Sequence, residues 1–297
     1  MAAKNEVVTL GKVLKWLGLV LLGLAIVLAV FIWRVGAWGA LFPSSDHDVE
    51  APVLPALTAP AVLVFSKTNG FRHVEAIDAG VPMFKEIAAA EGWSLFHTEN
   101  GAVFNSDDLA KFDLVIFHCA TGDMLAPAQQ AAFRDWLEGG GAWMGIHSAG
   151  DGSHKAWRWY TETLIGADYN AHILQPQFQT ADVVIEQPEH PTMQGLPGDW
   201  SHEEEWYSWH SSPRLAGVNV LATVDETTYI PVAKMFGSEK DLRMGDHPVI
   251  WSRCVGKGSA FYSALGHSGS TYADPQHRQL LLNAMRWSVG EGCSGQR

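Results

Sequence analysis

Cysteine is scarce in this sequence, and its scarcity excludes one structural class. The 297 residues include three cysteines, Cys119, Cys254 and Cys293, and no two of them form a C-x-x-C pair. Three cysteines cannot build a closed disulfide framework, although a single bridge, for example between Cys254 and Cys293, remains open. The fold must therefore rest on a hydrophobic core, for which the chain is long enough.

Positive charge is also scarce. The chain has 20 Lys and Arg against 32 Asp and Glu, which gives a formal net charge of -12. Residues 1–50 contain equal numbers of both signs, so the acidic excess lies in the rest of the chain. An acidic body repels phosphate backbones, and the sequence has no basic stripe. We therefore expect no nucleic-acid partner.

Local signatures of common cofactor and metal sites are missing as well. The sequence has no Walker loop and no H-E-x-x-H, and its G-x-G-x-x-G at residues 290–295 follows a predicted helix rather than a strand, so it lacks the context of a dinucleotide site. Nucleotide binding is therefore not expected. Any metal site must be assembled by folding from residues that are far apart in the sequence.

Near its start, the sequence contains one long apolar run. Trp16 to Trp33 is a stretch of eighteen residues without a charge, bracketed by Lys15 and Arg34. This length suits a membrane-spanning helix, and tryptophans at both ends suit the membrane interface. We predict an anchor over residues 1–42. The alternative is a signal peptide that is cleaved at the small residues around Trp38.

The charges around this run predict its orientation. Lysines precede it and carboxylates follow it, so the positive-inside rule leaves the N-terminus in the cytoplasm. The protein would then be a single-pass protein of the inner (cytoplasmic) membrane, with its body facing the periplasm or the exterior. Residues 43–60 contain four prolines and are predicted to form a semi-extended linker. The charges are Lys4, Lys12 and Lys15 before the run and Asp46, Asp48 and Glu50 after it.

Strand-like and helix-like runs alternate through residues 61–290. Continuous apolar runs suit strands that are buried on both faces, and amphipathic runs that stop at glycine suit helices. This alternation predicts an α/β domain with a doubly wound, mostly parallel sheet. The predicted strands are 61–65, 93–98, 114–118, 142–146, 248–254 and 260–265, and the main predicted helices are 73–90, 127–139 and 274–289.

In such sheets, ligands bind at the carboxyl ends of the strands. The loop after the first strand leads to His73 at the start of a helix, where free backbone N–H groups can hold an anion or a polarised oxygen. The loop after the third strand contains Thr121 and Asp123. We treat these three residues as candidate site residues, although Thr121 and Asp123 can equally form a turn that caps the next helix.

The strongest local signal is GGGAWMGIHSAGD, residues 139–151. A strand that runs into Gly-Ile-His-Ser-Ala-Gly has the small-residue pattern of a nucleophile elbow. Its central residue is His147, and imidazole at such a turn can act as a base, a proton donor or a metal ligand. The neighbouring Ser148 is an alternative nucleophile. The sequence has thirteen histidines, and a divalent ion such as Zn²⁺ is conceivable on His147, His172 and His267.

Taken in order, these segments resemble the ThuA-like (trehalose utilisation) family of the class I glutamine amidotransferase-like superfamily. The resemblance covers about residues 61–290. It is carried by GGGAWMGIHSAGD and by Phe71-Arg72-His73, Thr121-Gly122-Asp123, Tyr169…His172, His190-Pro191, Glu205-Trp206-Tyr207, Asp225-Glu226 and HPVIWSRCVGKGSAFYSALGH at 247–267. It implies a flavodoxin-like fold and a role in carbohydrate utilisation, with a disaccharide or its 3-keto form as substrate. Because His147 stands where amidotransferases have their cysteine, glutaminase chemistry is not expected.

Three functions remain open from the sequence. The first is a hydrolase or lyase of sugar derivatives, with a small-molecule saccharide as its partner. Its catalytic residues would be His147, Glu205 and His73, and its substrate-binding residues would be Tyr207, His172, His267, Thr121, Asp123 and Ser148. The second is a non-catalytic saccharide-binding or sensing module in which Trp157, Trp159, Trp206 and Trp209 stack on the sugar. The third is a hydrolase that uses Ser148 as its nucleophile.

Overall fold

The computed structural model describes residues 10–235 and 237–293. The described residues form six α-helices and thirteen strands, joined by short 3₁₀ and π segments. The helices are α1 (Leu10–Arg34), α2 (Trp38–Leu41), α3 (Val74–Glu91), α4 (Ser106–Leu109), α5 (Pro127–Gly139) and α6 (Pro275–Val289). The strands are β1 (Ala61–Phe65), β2 (Ser94–Thr98), β3 (Leu114–His118), β4 (Ala142–Ile146), β5 (Tyr169–His172), β6 (Gln179–Ile185), β7 (Trp200–Glu204), β8 (Tyr207–Trp209), β9 (Asn219–Val224), β10 (Val232–Met235), β11 (Ser238–Asp241), β12 (Pro248–Val255) and β13 (Gly258–Ser263).

Five parallel strands form one half of a nine-stranded sheet, in the order β2-β1-β3-β4-β13. This is the strand order of flavodoxin-like domains. Every residue of β1, β3 and β4 is buried. The reason is that helices cover both faces of a doubly wound sheet, and strands in such a sheet must be apolar throughout. The predicted α/β, flavodoxin-like, mostly parallel fold is confirmed.

The other half of the sheet is antiparallel and was not predicted in detail. The strands β12, β9, β6 and β7 continue the sheet beyond β13, each antiparallel to its neighbour. In β7, buried and exposed residues alternate, as expected for a strand with one face in water. Two small ribbons, β5 with β8 and β10 with β11, lie outside the main sheet. The strands β12 and β13 pair as an antiparallel hairpin across Gly256 and Lys257.

Two of the described non-glycine residues have left-handed backbones, and both directly follow parallel strands. Cys119 has a φ of 50° and His147 a φ of 52°. Such a conformation is uncommon for residues with a Cβ and persists where the surrounding structure imposes it. His147 therefore lies on a sharp turn between β4 and the following 3₁₀ segment, as the elbow-like sequence pattern predicts.

The N-terminal helix α1 is separate from the core. Its span from Gly11 to Arg34 is long and apolar enough to cross a membrane, and none of its most apolar window is buried against the rest of the chain. A signal sequence near the N-terminus would have the same properties. At about 38 Å, α1 exceeds the roughly 30 Å hydrocarbon core of a bilayer.

The segment between α1 and the domain runs along the body in an extended form. The Ser44 N–H donates to the Asn69 carbonyl oxygen at 3.0 Å, and Asp48 pairs with Lys67 and accepts from the Gly101 N–H. Residues 43–60 form neither helix nor strand. This segment is therefore held against the loops that follow β1 and β2.

A disulfide links β12 to the segment that follows α6. Cys254 in β12 is bonded to Cys293, which follows α6, with 5.8 Å between their Cα atoms. The bridge that the sequence left open is thus formed. Cys119 is the free thiol among the described residues, and it is buried.

Candidate functional site

Four side chains converge at the carboxyl edge of the parallel strands. His73 precedes α3, His147 follows β4, His267 lies shortly after β13, and Glu205 directly follows β7. One potential ligand atom from each of these residues lies within 4.8 Å of the others. Three loops of the parallel half thus supply the imidazoles, and the antiparallel half supplies the carboxylate. Below, these four residues are called the histidine centre.

The three imidazole rings of the histidine centre are nearly perpendicular to one another. Their centroids are 4.6–5.0 Å apart, and the angles between their planes are 83–84°. Stacked rings would place their nitrogens side by side, whereas perpendicular rings direct nitrogens towards a shared point from different sides. This arrangement suits a group of ligands around one ion.

Hydrogen bonds fix the tautomer of His147. Its Nδ1 lies 2.8 Å from the Ala264 carbonyl oxygen, which can only accept, so Nδ1 carries the proton. Nε2 therefore presents a lone pair to the histidine centre, 3.1 Å from His267 Nδ1 and 2.9 Å from the Tyr207 hydroxyl. A metal-binding histidine commonly donates its other N–H to a backbone carbonyl in this way. His147 is thus prepared either to accept a proton or to bind a metal ion.

Glu205 is buried and surrounded by donors. Its Oε1 accepts from His172 Nδ1 at 2.9 Å and from Gln177 at 2.6 Å, and its Oε2 lies 3.0 Å from His267 Nδ1. Burial alone would raise the pKa of Glu205, but the interactions with His147, His172 and His267 outweigh it and hold the pKa below its ordinary value. The side chain is therefore a carboxylate at neutral pH.

Glu204 orients the neighbours of this centre without joining it. Its carboxylate accepts backbone N–H bonds from Glu205 at 2.9 Å, from Gly266 at 2.6 Å and from His267 at 3.2 Å. Burial would raise the pKa of Glu204, but the interactions with His202 and His147 and the Gly266 N–H keep it below its ordinary value. One buried anion thus ties the end of β7 to the turn after β13, and thereby fixes Glu205 relative to His267.

His73 and Ser148 form a buried pair beside the histidine centre. Ser148 Oγ lies 3.1 Å from His73 Nδ1, which leaves Nε2 of His73 available for a ligand. Burial, followed by the neighbouring His147 and His267, lowers the pKa of His73 well below its ordinary value, so the ring is neutral. Neutral imidazole is the form that binds metal ions.

No cysteine in the described part of the chain can replace the amidotransferase nucleophile. Cys119 is completely buried, and burial raises its pKa to about 12. A thiol with this pKa is protonated and unreactive at neutral pH. Cys254 and Cys293 are bonded to each other in the disulfide, so neither offers a free thiol.

A cavity of about 450 Å³ opens in front of the histidine centre. This size lies within the usual range for small-molecule sites. The polar part of its wall includes His73, Glu205 and His267, and the aromatic part is formed by Phe71, Tyr169 and Tyr207. Its other lining residues are Ala40, Asp151, Gly152, Ser153, His172, Leu174 and Gln177.

Comparison with known proteins agrees with this architecture. The sequence profile of ThuA, described as trehalose utilisation, matches residues 61–288. The chain belongs to the ThuA family. No functionally curated protein matches it. The family assignment supports a carbohydrate-related role.

Solved structures show the same fold. A ThuA-like protein from Bacteroides uniformis is 26% identical with a TM-score of 0.68, and the match covers 82% of this chain and 98% of that protein. A ThuA-like protein from Parabacteroides merdae is 17% identical with a TM-score of 0.59, and the match covers 79% of this chain and 91% of that protein. The second match, at this identity, shows the fold alone.

The ThuA fold brings most of the predicted site residues together. His147, His73, Glu205, His267, His172, Tyr207 and Ser148 all lie in or against the histidine centre. The metal ligands predicted from the sequence were His147, His172 and His267. In the structure, the group whose ligand atoms converge contains His73 and Glu205 in addition to His147 and His267, and His172 instead hydrogen-bonds Glu205 from outside.

Two predicted substrate contacts lie elsewhere. Thr121 is buried and donates to the Phe71 carbonyl oxygen at 2.8 Å, so it supports the loop before His73. The Asp123 carboxylate lies 3.2 Å from His47 Nε2 in the N-terminal segment. Among the described residues that line the cavity, neither Thr121 nor Asp123 is present.

The tryptophans expected to stack on a sugar do not form a platform in the cavity. Trp206 and Trp209 are buried, and their indole N–H groups donate to the Gln179 and Pro248 carbonyl oxygens. Trp157 and Trp159 pack against the apolar core. None of the four belongs to the described wall of this cavity, so the structure gives no support to sugar stacking there. Their size made core burial the competing explanation, and core burial applies.

Sequence reasoning also missed several residues of the cavity. Gln177 binds Glu205, and its segment carries no motif. Asp151 ends the GGGAWMGIHSAGD segment and lines the cavity, so its position after the elbow could have identified it. Ala40 comes from the N-terminal segment, and nothing in its local sequence indicates a place in the site.

Proposed function

We propose that this ThuA protein is a membrane-tethered enzyme of carbohydrate utilisation that acts on a disaccharide or its 3-keto derivative. The observation that carries the proposal is the convergence of His73, His147, Glu205 and His267 within 4.8 Å of one another at the wall of a cavity. The family description of trehalose utilisation supplies the class of substrate.

The histidine centre fits a divalent ion such as Zn²⁺. Three imidazoles and one carboxylate form a donor set that suits zinc and similar metals. His147 donates its Nδ1 proton to a backbone carbonyl, and Glu205 is held by His172 and Gln177, which are the outer hydrogen bonds that such ligands usually have. An ion held by these four residues would polarise a carbonyl oxygen of the substrate.

The remaining groups of the cavity suit acid–base catalysis on a keto-sugar. A keto group acidifies the hydrogen on the adjacent carbon, so its removal needs a base, and departure of the second sugar needs a proton donor. The cavity wall offers the Asp151 carboxylate, the His172 imidazole and the Tyr207 hydroxyl. Burial and the nearby Glu205 raise the pKa of Tyr207 well above its ordinary value, so this hydroxyl remains a donor.

The arrangement of Glu205 argues against ordinary glycoside hydrolysis. That reaction commonly uses two carboxylates that face each other across the glycosidic bond. The Glu205 oxygens are already engaged by His172, Gln177 and His267, so this carboxylate is occupied as a ligand or anchor. A lyase or hydrolase that depends on the keto group fits these contacts better.

The proposed location is the inner membrane, with the body on its outer side. Support comes from α1, from the lysines that precede its apolar run and from the Cys254–Cys293 bond. Disulfides persist in oxidising compartments such as the periplasm and are rare in the cytosol.

The test begins with the full chain purified in detergent, because residues 44–48 contact the body. Metal content is measured by mass spectrometry after purification without chelator or metal-affinity resin, for the wild type and for His147→Ala. His210→Ala is the matched control, since His210 is exposed and lies outside the cavity wall. We expect a near-stoichiometric divalent ion in the wild type and the control, and its loss in His147→Ala.

A second readout separates an enzyme from a binding module. The same three proteins are assayed for breakdown of 3-keto-trehalose and for binding of trehalose. We expect His147→Ala to lose turnover while it still binds the sugar. Saccharide binding without turnover in the wild type would instead establish the non-catalytic alternative. Turnover without metal would assign the histidine centre to acid–base chemistry.

A further inference from the structure

The segment that follows α1 is seated directly on the loop leading to His73. We call residues 35–42 the juxtamembrane segment. The Arg72 N–H donates to the Gly36 carbonyl oxygen at 2.9 Å. A Cβ at Gly36 would lie 1.8 Å from the Arg72 carbonyl oxygen, and a Cβ at Gly39 would lie 2.0 Å from that of Gly70. This contact therefore requires glycine at both positions, and it fixes the end of α1 beside the site.

The juxtamembrane segment also forms part of the cavity. Ala40 lines the same cavity as His73 and Glu205. An adjoining groove is lined by Arg34, the last residue of α1, together with His73 and His267 of the histidine centre. Phe71, Gln177, His73 and His267 line both spaces. The end of α1 thus lines a groove that borders the cavity of the histidine centre.

Apolar side chains remain exposed around this opening. Leu41 is 58% exposed and is adjacent to Ala40 in α2, and Leu174, which lines the cavity, is 41% exposed. Phe178 lines the groove with Arg34 and is also exposed. Trp38 and Phe42 lie in or beside α2, are exposed, and contact each other. An exposed apolar rim around a polar site commonly marks a contact with lipid or with a partner.

The position of α1 favours lipid as the occupant of this rim. If α1 spans the bilayer, Arg34 lies at the membrane interface, where tryptophan and snorkelling basic residues concentrate. Trp38, Leu41 and Phe42 then lie at headgroup depth, at the mouth of the cavity. A free disaccharide has no apolar group to place against Leu41 and Leu174, whereas a sugar attached to an acyl or prenyl chain has one.

We infer that the cavity takes a saccharide carried on a lipid chain, with the sugar at the histidine centre and the chain passing over Leu174 and α2 into the bilayer. This inference rests on the proposed function, because it names the substrate class of the same site. The anchor then does more than retain the protein, since it supplies one wall of the cavity and places the cavity opening at the membrane surface.

The first test measures the depth of the rim in the membrane. Single cysteines are introduced as Leu174→Cys and Leu215→Cys, labelled with a bimane fluorophore, and placed in phosphatidylcholine nanodiscs as the full chain. Leu215 is 83% exposed in the short helix Pro213–Ala216, outside the cavity wall, and the buried native Cys119 should not react. We expect lipids with a doxyl quencher on the acyl chain to quench the label at 174 and to leave that at 215 unchanged. Equal quenching at both positions would overturn the inference.

The second test compares trehalose with trehalose 6-dodecanoate as binding probes. The acyl probe is expected to bind at least about tenfold more tightly, because each buried methylene favours binding by about fourfold. The double variant Leu41→Ser/Leu174→Ser should remove most of this advantage, and Leu215→Ser should leave it unchanged. Since the acyl probe also partitions into lipid, the loss in the rim variant is the decisive result.

The outcomes separate the inference from the proposed function. Equal binding of the two probes, binding of neither, or an acyl preference that the rim variant leaves intact would each overturn the inference. In those cases, a metal ion and turnover of free 3-keto-trehalose would leave the proposed function standing. Conversely, a rim-dependent acyl preference without turnover would support a membrane-surface glycolipid site and contradict the proposed enzyme.

Discussion

The two halves of the sheet contribute to the site in different ways. The parallel half supplies His73, His147 and His267 from loops after β1, β4 and β13, as doubly wound sheets do in general. The antiparallel half supplies Glu205 directly after β7, and the separate ribbon of β5 and β8 supplies His172 and Tyr207. The general rule for doubly wound sheets thus predicts where the imidazoles lie. The carboxylate that completes the group comes from the antiparallel extension, to which this rule does not apply.

This difference indicates how a site can change its chemistry on one scaffold. The elbow after β4 is present, with His147 in the left-handed conformation. The thiol expected at an amidotransferase elbow is replaced by imidazole, and the extension places Glu205 opposite it. The parallel half thus provides the three imidazoles of the histidine centre, and the antiparallel half provides its carboxylate.

The largest expected effect comes from removing the carboxylate of the antiparallel half. Glu205→Gln replaces a buried anion that is held by three histidines, and breaking such a buried charged network typically costs about 3–5 kcal/mol. We expect the apparent affinity for the metal ion to fall by about 100-fold or more. Competition with a fluorescent chelator measures this affinity. Glu203→Gln is the matched control, because Glu203 lies on the exposed face of β7. An equal loss of metal affinity in both variants would contradict the assignment of Glu205 as a metal ligand.

The next effect tests the connection between the two halves. Glu204→Gln keeps the shape of the side chain but removes the charge that accepts three backbone N–H bonds around Glu205 and His267. Because outer-shell partners usually change metal affinity by about 10- to 100-fold, we expect a loss in that range. Thermal unfolding of the metal-free protein serves as the control readout. A large loss of stability with unchanged metal affinity would show that Glu204 supports only the fold.

The third effect is on the pH dependence of stability, and it comes from a histidine in α6, the helix that covers the parallel half. His277 in α6 is fully buried, and neither ring nitrogen has a hydrogen-bond partner. Burial, followed by the nearby His202, lowers its pKa to about 3. The folded state therefore resists protonation, so stability is complete above the unfolded pKa near 6.5 and is lost as the pH falls from there towards 3.

At pH 5, the lowered pKa of His277 reduces the free energy of unfolding by about 2 kcal/mol relative to neutral pH. Urea unfolding of the full chain at pH 5 and pH 8 measures the difference, and His277→Gln should reduce it by about that amount. His118, whose pKa burial likewise lowers to about 3, is expected to account for a similar part. An unchanged pH dependence in His277→Gln would refute this explanation.

The smallest expected effect comes from Tyr207 in the ribbon of β5 and β8, and it tests whether this residue positions His147 or binds the metal ion. Tyr207→Phe removes one hydroxyl that lies 2.9 Å from His147 Nε2. The loss of one such hydrogen bond is worth about 1 kcal/mol, so turnover of 3-keto-trehalose should fall by about fivefold while the metal content is unchanged. Tyr229→Phe, whose hydroxyl lies near His247 instead, provides the control. Loss of the ion in Tyr207→Phe would place this residue among the metal-binding groups.

The sequence predicted the parallel half well because its signals are local. Five-residue apolar runs such as Leu114–His118, and a helix that stops at Gly139–Gly140, are determined by burial and backbone freedom within a few residues. His147 was found for the same reason, since its small neighbours mark a sharp turn. The positive φ at His147 agrees with that interpretation.

The rest of the site could not be predicted because its contacts are long-range. Gln177 lies 28 positions from Glu205 in the sequence, and the sequences of β6 and β7 do not reveal which strands they pair with. Ala40 enters the cavity only because Gly36 and Gly39 permit close contact with the loop before His73. Such contacts depend on the packing of whole elements, which composition and spacing do not specify.

Anomalous diffraction from crystals of the full chain at the zinc absorption edge tests the central claim most directly. The account predicts one strong peak about 2.0–2.2 Å from nitrogen atoms of His147 and His267 and from Glu205 Oε2, with His73 at the same centre. A protein prepared with its native metal that shows no peak there, or a peak only at other histidines such as His202 and His277, would contradict it.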